Sequence, residues 1–170
     1  MNQEWIKEWH QEFEIEVKST RKLIEALPED GLSYRPSPTS WTMGELAQHI
    51  INIYHWFEGV FTLDRYDMAL DPYKAPDAGE LSTLMEQFEH NVKNARHVMQ
   101  TMDPAFWDKD WTMTIGEKII IGPRPRTLIV RNFLYSHLYH HRGEMIVYLR
   151  ASGHKVPGLY GPTYEDFHQK

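Results

Sequence analysis

Four stretches of this chain repeat apolar residues at steps of three and four, and that period commits most of its length to amphipathic α-helix. The first stripe, in residues 3 to 27, is Ile6, Trp9, Phe13, Val17, Thr20, Ile24 and Leu27. Pro28 and the turn-rich EDGLSYRPSPTS end it. A second helix begins near Ser40 to Thr42, where Thr42-x-x-Glu45 has the form of a capping box and Trp41 can staple the entry. Its stripe is Leu46, His49, Ile50, Ile53, Phe57 and Val60. After the loop LDRYDMALDPYKAPDAGE, a third helix is predicted over 79 to 101, on Leu81, Leu84, Phe88, Val92, Ala95 and Val98. A fourth spans 126 to 151 and stops near Gly153.

Helices of this kind bury their stripes only against one another, so the sequence predicts an all-α four-helix bundle. The length of 170 residues fits a single domain over 1–170. The connections are long enough that up-down-up-down order is not required. One stretch breaks the pattern. In DKDWTMTIGEKIIIGPRPR, Trp111, Met113 and Ile115 alternate with polar residues, a glycine follows, and then comes the β-branched run Ile119 to Ile121. A small β-hairpin insertion before the last helix is expected there. The tail HKVPGLYGPTYEDFHQK is too rich in Pro and Gly for a helix, yet Val156, Leu159, Tyr160 and Phe167 equip it to cover the bundle.

Histidines interrupt two of the stripes. A helical residue advances about 100° around the axis, so His137 and His141 lie about 40° apart, one turn from each other. They share a face with Val130, Leu134, Met145 and Tyr148, predicted to point into the bundle. His49 falls inside the second stripe. Burying imidazoles costs desolvation unless each finds a partner, and two protonated rings one turn apart repel. A divalent cation removes both costs, since neutral imidazole is a good ligand. His49, His137 and His141 are therefore the candidate metal ligands. His140, rotated about 100° from His141, is expected at solvent or a partner chain. His55 lies off its stripe, and His10, His90, His97, His154 and His168 read as surface residues. Glu144 can share the face of His137 and His141, as a fourth ligand, as an acceptor for an imidazole N–H, or as a general base. Asn52, one turn after His49, is a possible polar neighbour.

Composition removes several classes. The net charge is −6 with no basic run, which argues against nucleic acid and anionic membranes as partners. No segment approaches the roughly 20 apolar residues of a membrane span, and the polar N-terminus is unlike a signal peptide. With no cysteine, thiolate ligands and a cysteine nucleophile are excluded, and a cytoplasmic location is expected. Any thiol chemistry would use a thiol brought by a substrate.

The chain resembles the DinB-like proteins, which include the bacillithiol transferases. The resemblance rests on RPSPTSWTMGELAQHI (35–50), FLYSHLYHHRGEMIVYLRASGHKVP (133–157) and GLYGPTYEDF (158–167). It implies a four-helix bundle holding one divalent metal on His49, His137 and His141, the trio that spacing also selects. It further implies a homodimer and, for some members, transfer of a low-molecular-weight thiol to an electrophile. Many relatives carry Gln where this chain has Glu144.

Three imidazoles on one cation leave an open coordination position, the layout of a catalytic rather than a closed structural site. Bound water could then act as hydroxide in a hydrolase, or a substrate thiol could bind as thiolate. The resemblance favours the metal-dependent thiol S-transferase, with a small thiol and an electrophilic small molecule as partners and the tail as a wall of the pocket. The alternatives are a metal-dependent hydrolase and a non-catalytic metal-binding dimer. Imidazole ligands are compatible with Zn, Ni, Mn or Fe.

Overall fold

The predicted stripes close on one another. A computed structural model describes residues 3–168, with side chains from residue 7 onward, so Ile6 lies outside the described side chains. Helix α1 spans Gln3–Glu25, α2 Met43–Thr62 and α3 Leu81–Thr101. The last long helix runs without a break through α4 (Arg126–Ile129), a π-helical segment (Val130–Ser136) and α5 (His137–Ala151). A one-turn helix, α6, covers Tyr164–Phe167.

Local chemistry sets where α2 begins. The Thr42 hydroxyl accepts from the Glu45 amide at 3.1 Å, and the Glu45 carboxylate accepts from the Thr42 amide at 2.7 Å. This is the predicted capping box, and it satisfies amides that the first turn leaves free. Gly44 follows directly because the chain 63–80 crosses there. A Cβ at Gly44 would stand 1.8 Å from the Ala78 carbonyl oxygen. Helix α1 stops two residues earlier than the stripe implied, though Leu27 is still buried in the turn beyond it.

Around the bundle α1 packs on α3, α3 on α2, and α2 on the final helix. The final helix returns to α1: Tyr135 Oη donates to the Trp9 carbonyl at 3.2 Å, and Tyr139 Oη to Glu12 Oε1 at 2.7 Å. Helices α1 and α2 thus face each other across the core, where Phe13 meets Tyr54 and Phe57 edge-on. The order is not up-down-up-down.

The hairpin forms as expected, but it belongs to a three-stranded sheet. Strands β2 (Asp110–Ile115) and β3 (Lys118–Pro125) pair antiparallel, and β1 (Arg65–Asp67) adds in parallel to β2. The hairpin turns at Gly116, whose φ of +59° is a conformation glycine adopts freely. Trp111 and Met113 are buried as predicted, and the Trp111 indole donates to the Gly59 carbonyl at 3.1 Å. Ile115 does not join them. The register shifts between Met113 and Thr114, which buries Thr114 and turns Ile115 outward. Strand β3 is the outer strand; it exposes Ile119 and Ile120 and carries Pro123 and Pro125.

A buried polar network locks α5 to α1. Arg142 and Glu16 are 1% and 4% exposed, so both charges have left water. Arg142 Nη2 donates to the Glu16 carboxylate and to Tyr160 Oη. Its Nη1 donates to the Glu16 carbonyl at 3.1 Å and to Thr20 Oγ1 at 3.2 Å. Tyr160 Oη in turn donates to Glu16 Oε2 at 2.7 Å, which ties the tail to the same knot. Ser19 and Lys22 hold the carbonyls of Leu159 and Gly158 at 3.4 and 2.8 Å. The tail therefore covers the α1 side of the bundle, with Val156 buried and Leu159 partly so, while Tyr164 and Phe167 remain exposed.

Removing one partner of a buried pair strands the other charge. Arg142→Ala is expected to lower the unfolding free energy by about 3–5 kcal/mol, read by urea denaturation. A loss below about 1 kcal/mol would show that the pair is solvated.

Candidate metal centre

The site forms where α2 faces α5. His49 lies in the first half of α2, its position set by the cap at Thr42. His137 opens α5, directly after the π-helical segment, and His141 follows one turn later. Along the final helix Val130, Leu134, Leu138, Met145 and Leu149 are all 0% exposed. His137, His141 and Tyr148 form a strip beside them, so the histidine face runs along the flank of the stripe and looks across at α2. The predicted face is buried at Val130, Leu134, His141 and Met145 and half-buried at His137 and Tyr148. The offset is already in the ordinary helical step: measured from Leu134, the residues His137, His141 and Tyr148 fall about 20–60° to one side, and Leu138, Met145 and Leu149 about 20–60° to the other.

The three rings converge. His49 Nε2 stands 3.1 Å from His137 Nε2. Ring centroids are 5.0 Å apart for His49 and His137, 4.5 Å for His49 and His141, and 4.7 Å for His137 and His141. One ring nitrogen from each residue lies within 4.8 Å of the other two. Aromatic side chains frame them. Trp56 stacks on His137 at 5.7 Å and 13°, and Phe133 lies 6.0 Å from the same ring. Trp41 lies 4.8 Å from His49 and 5.8 Å from His141. Expected as a helix staple, Trp41 is 47% exposed and serves as a wall of the site. An opening of about 200 Å³ beside His49 is lined by Trp41, Glu45, Gln48 and Asn52. Asn52 is the predicted polar neighbour, and its Oδ1 is buried without a hydrogen-bond partner.

Burial decides the charge state. Desolvation, with the neighbouring His141 second, lowers the pKa of both His49 and His137 to about 4. The Phe133 carbonyl acts the other way on His137 but does not prevail. Both rings are therefore neutral at pH 7, the form that donates a lone pair to a cation. Shared ligation of one cation also suits the spacing of the two nitrogens. Two nitrogens about 2.0–2.1 Å from one tetrahedral cation stand about 3.3 Å apart, close to the separation of the two Nε2 atoms.

Beyond the trio, Glu144 Oε2 accepts from His141 Nδ1 at 2.5 Å, and its Oε1 lies 3.7 Å from His140 Nε2. The side chain of His140 is 64% exposed, as expected. His90, His97 and His168 are exposed, His10 and His154 are half-buried, and none joins the trio. His55 has a separate role. It bonds Asp71 Oδ2 at 2.8 Å and stacks on Tyr73 at 4.1 Å, clamping the loop after α2. Tyr66 Oη donates to the same carboxylate, which hydrogen bonds hold below its usual pKa despite burial. The tail, expected to wall the site, does not. Its contacts on α5 run through Arg142, about 100° around the helix from His141. Trp56 could have been read from the sequence, since it is seven residues after His49 and so nearly on the same face. Nothing in the sequence marks Trp41 as a wall.

The lowered pKa values predict a pH dependence for the metal-free protein. An unfolded histidine binds a proton near pH 6.5, whereas His49 and His137 in the fold do so near pH 4. Between those values the unfolded chain holds more protons, so stability falls as pH drops from about 6.5 toward 4. These two residues contribute no slope above that window. Urea unfolding across pH 4 to 8, with His49→Gln and His137→Gln variants, checks this. Equal slopes in wild type and variants would contradict it.

Comparison with known proteins places this architecture. A sequence model of the DinB family matches residues 1–170. YrdA of Bacillus subtilis (strain 168) is 28% identical over 167 residues, covering 96% of this chain and 90% of that protein. YjoA of the same organism is 25% identical over 143 residues, covering 83% and 86%. Among solved structures, a DinB-like protein from Bacillus cereus ATCC 10987 superposes with a TM-score of 0.67 at 25% identity, covering 88% of this chain and 94% of that one. YfiT from Bacillus subtilis, characterised as a probable metal-dependent hydrolase with an unusual four-helix bundle topology, superposes with a TM-score of 0.61 at 16% identity, covering 91% of each chain. At that identity the likeness is one of fold.

Proposed function

The chain belongs to the DinB family, and from that premise we propose that it is a divalent-metal-dependent enzyme joining a low-molecular-weight thiol to an electrophilic small molecule. The observation that carries the metal reading is the convergence of three imidazoles, with two Nε2 atoms facing each other at 3.1 Å. His49, His137 and His141 are the ligands in this reading. The donor set fits a divalent cation, because two of its rings are held neutral by burial and one nitrogen of each ring lies within 4.8 Å of the others. Bound there, the cation supplies positive charge that keeps a thiol in its thiolate form.

The chain's own residues do the rest. Trp56 and Phe133 close the side facing the bundle and exclude water from it. Trp41 and the opening beside His49 leave a path for reactants. With no cysteine anywhere in the chain, no protein thiol competes for the site. In the reaction proposed, the carbon–sulfur bond forms as the bond to the leaving group breaks, and the thiol's proton departs to solvent. The likeness to YfiT favours a second reading, hydrolysis on the same three histidines.

Two experiments separate these readings. Elemental analysis of gently purified protein is expected to find one divalent metal per chain, lost in His137→Ala with helicity retained and kept in His140→Ala. Unchanged metal content in His137→Ala removes that residue from the ligand set. Consumption of monochlorobimane that requires both added thiol and the metal supports transfer, with chloride displaced by sulfur. Ester or amide turnover without thiol supports hydrolysis instead. Metal bound with no turnover of either kind leaves a binding protein.

A further inference from the structure

We propose that Glu144 is the positioning residue of the histidine trio: its carboxylate holds the proton of His141 on Nδ1 and so leaves Nε2 bare toward His49 and His137. This rests on the metal reading above and deepens it. Sequence left three roles open for Glu144, and the geometry selects one. A carboxylate only accepts, so the 2.5 Å contact with Nδ1 places a proton on that nitrogen, and in the neutral ring the lone pair is then on Nε2. Glu144 groups with His140 and His141 but not with His49 or His137, so it stands behind the trio and is no fourth ligand. Its Oε2 is taken by His141, and its Oε1 lies toward the exposed His140 at 3.7 Å.

His137 is oriented in the same way by a different acceptor. Its Nε2 faces His49, and the ring also hydrogen-bonds the Phe133 carbonyl, which the remaining nitrogen, Nδ1, must meet. Two of the three rings are thus anchored from behind by acceptors, one neutral and one charged. The charged anchor has a consequence that glutamine would lack. Three neutral imidazoles leave a divalent centre at +2, whereas the carboxylate brings the local sum to +1. A single thiolate then neutralises it. A carboxylate behind the ring also raises the basicity of the ligating nitrogen.

The test uses the full-length protein, with Glu144→Ala and Glu144→Gln. In metal-free protein, long-range ¹⁵N–¹H correlation spectra report the tautomer of each histidine. Wild type is expected to show His141 as the Nδ1–H form, and Glu144→Gln to keep that form, since an amide oxygen still accepts. Glu144→Ala is expected to shift His141 toward Nε2–H. Zn(II) affinity, measured by competition with a chelator, is expected to fall 10–100-fold in Glu144→Ala and by less in Glu144→Gln. Thermal melting should be nearly unchanged, because the Glu144 side chain is 43% exposed. An unchanged tautomer in Glu144→Ala overturns the proposal, and so does a changed tautomer with unchanged Zn(II) affinity. Wild-type protein that takes up no Zn(II) sinks the metal reading instead, and the spectra still decide whether Glu144 anchors His141.

Discussion

The buried pair of Arg142 and Glu16 fixes how the last helix is turned, and the site depends on that rotation. Arg142 and His141 are adjacent in sequence and so project about 100° apart from α5. One is held inside by Glu16, Thr20 and Tyr160. The other is thereby presented to α2. A helix held only by apolar contacts can roll a little, because such contacts are non-directional. The four bonds made by Nη1 and Nη2 of this rigid fork cannot follow such a roll unbroken. The opposite end of the same helix is pinned in kind. Arg126, fully buried, donates to the carbonyls of Val60, Leu63 and Phe106 and to the Asp64 carboxylate. The π-helical segment lies between these two anchored arginines.

The histidine trio is a polar cluster placed where burial makes protonation costly. Trp41, Trp56 and Phe133 lower the local dielectric, and each imidazole adds to the cost of charging the next. A hydrogen bond between the Nε2 atoms of His49 and His137 engages two of the rings, whereas a cation would engage all three. The metal reading follows from that convergence rather than from the count of histidines. The chain has ten, and the other seven are exposed, half-buried or, like His55, engaged elsewhere.

Much of this was legible beforehand, and the reasons differ by element. The trio was readable because i, i+4 spacing on one helix and an interruption of the stripe on another are both local signals. The start of α2 was readable because Thr42 and Glu45 carry the whole capping box in four residues. Strand β1 was not, since three residues are too few to show an alternation and its pairing is with a strand 47 positions away. Ile115 misled because a register shift cannot be seen in one strand alone. The burial of Arg142 carried no local signal, because it depends on Glu16, 126 residues distant. Glu144 was identified, but its role required knowing which nitrogen of which ring it meets.

The proline spacing in β3 has a structural outcome of its own. An outer strand offers its unpaired amides to any extended chain that drifts by, and the exposed Ile119 and Ile120 make this rim attractive to one. Pro123 and Pro125 have no amide hydrogen to offer, so the half of the rim nearest the last helix cannot template another strand. That end of the rim is closed to strand addition, whereas the end bearing Ile119 and Ile120 keeps its amides.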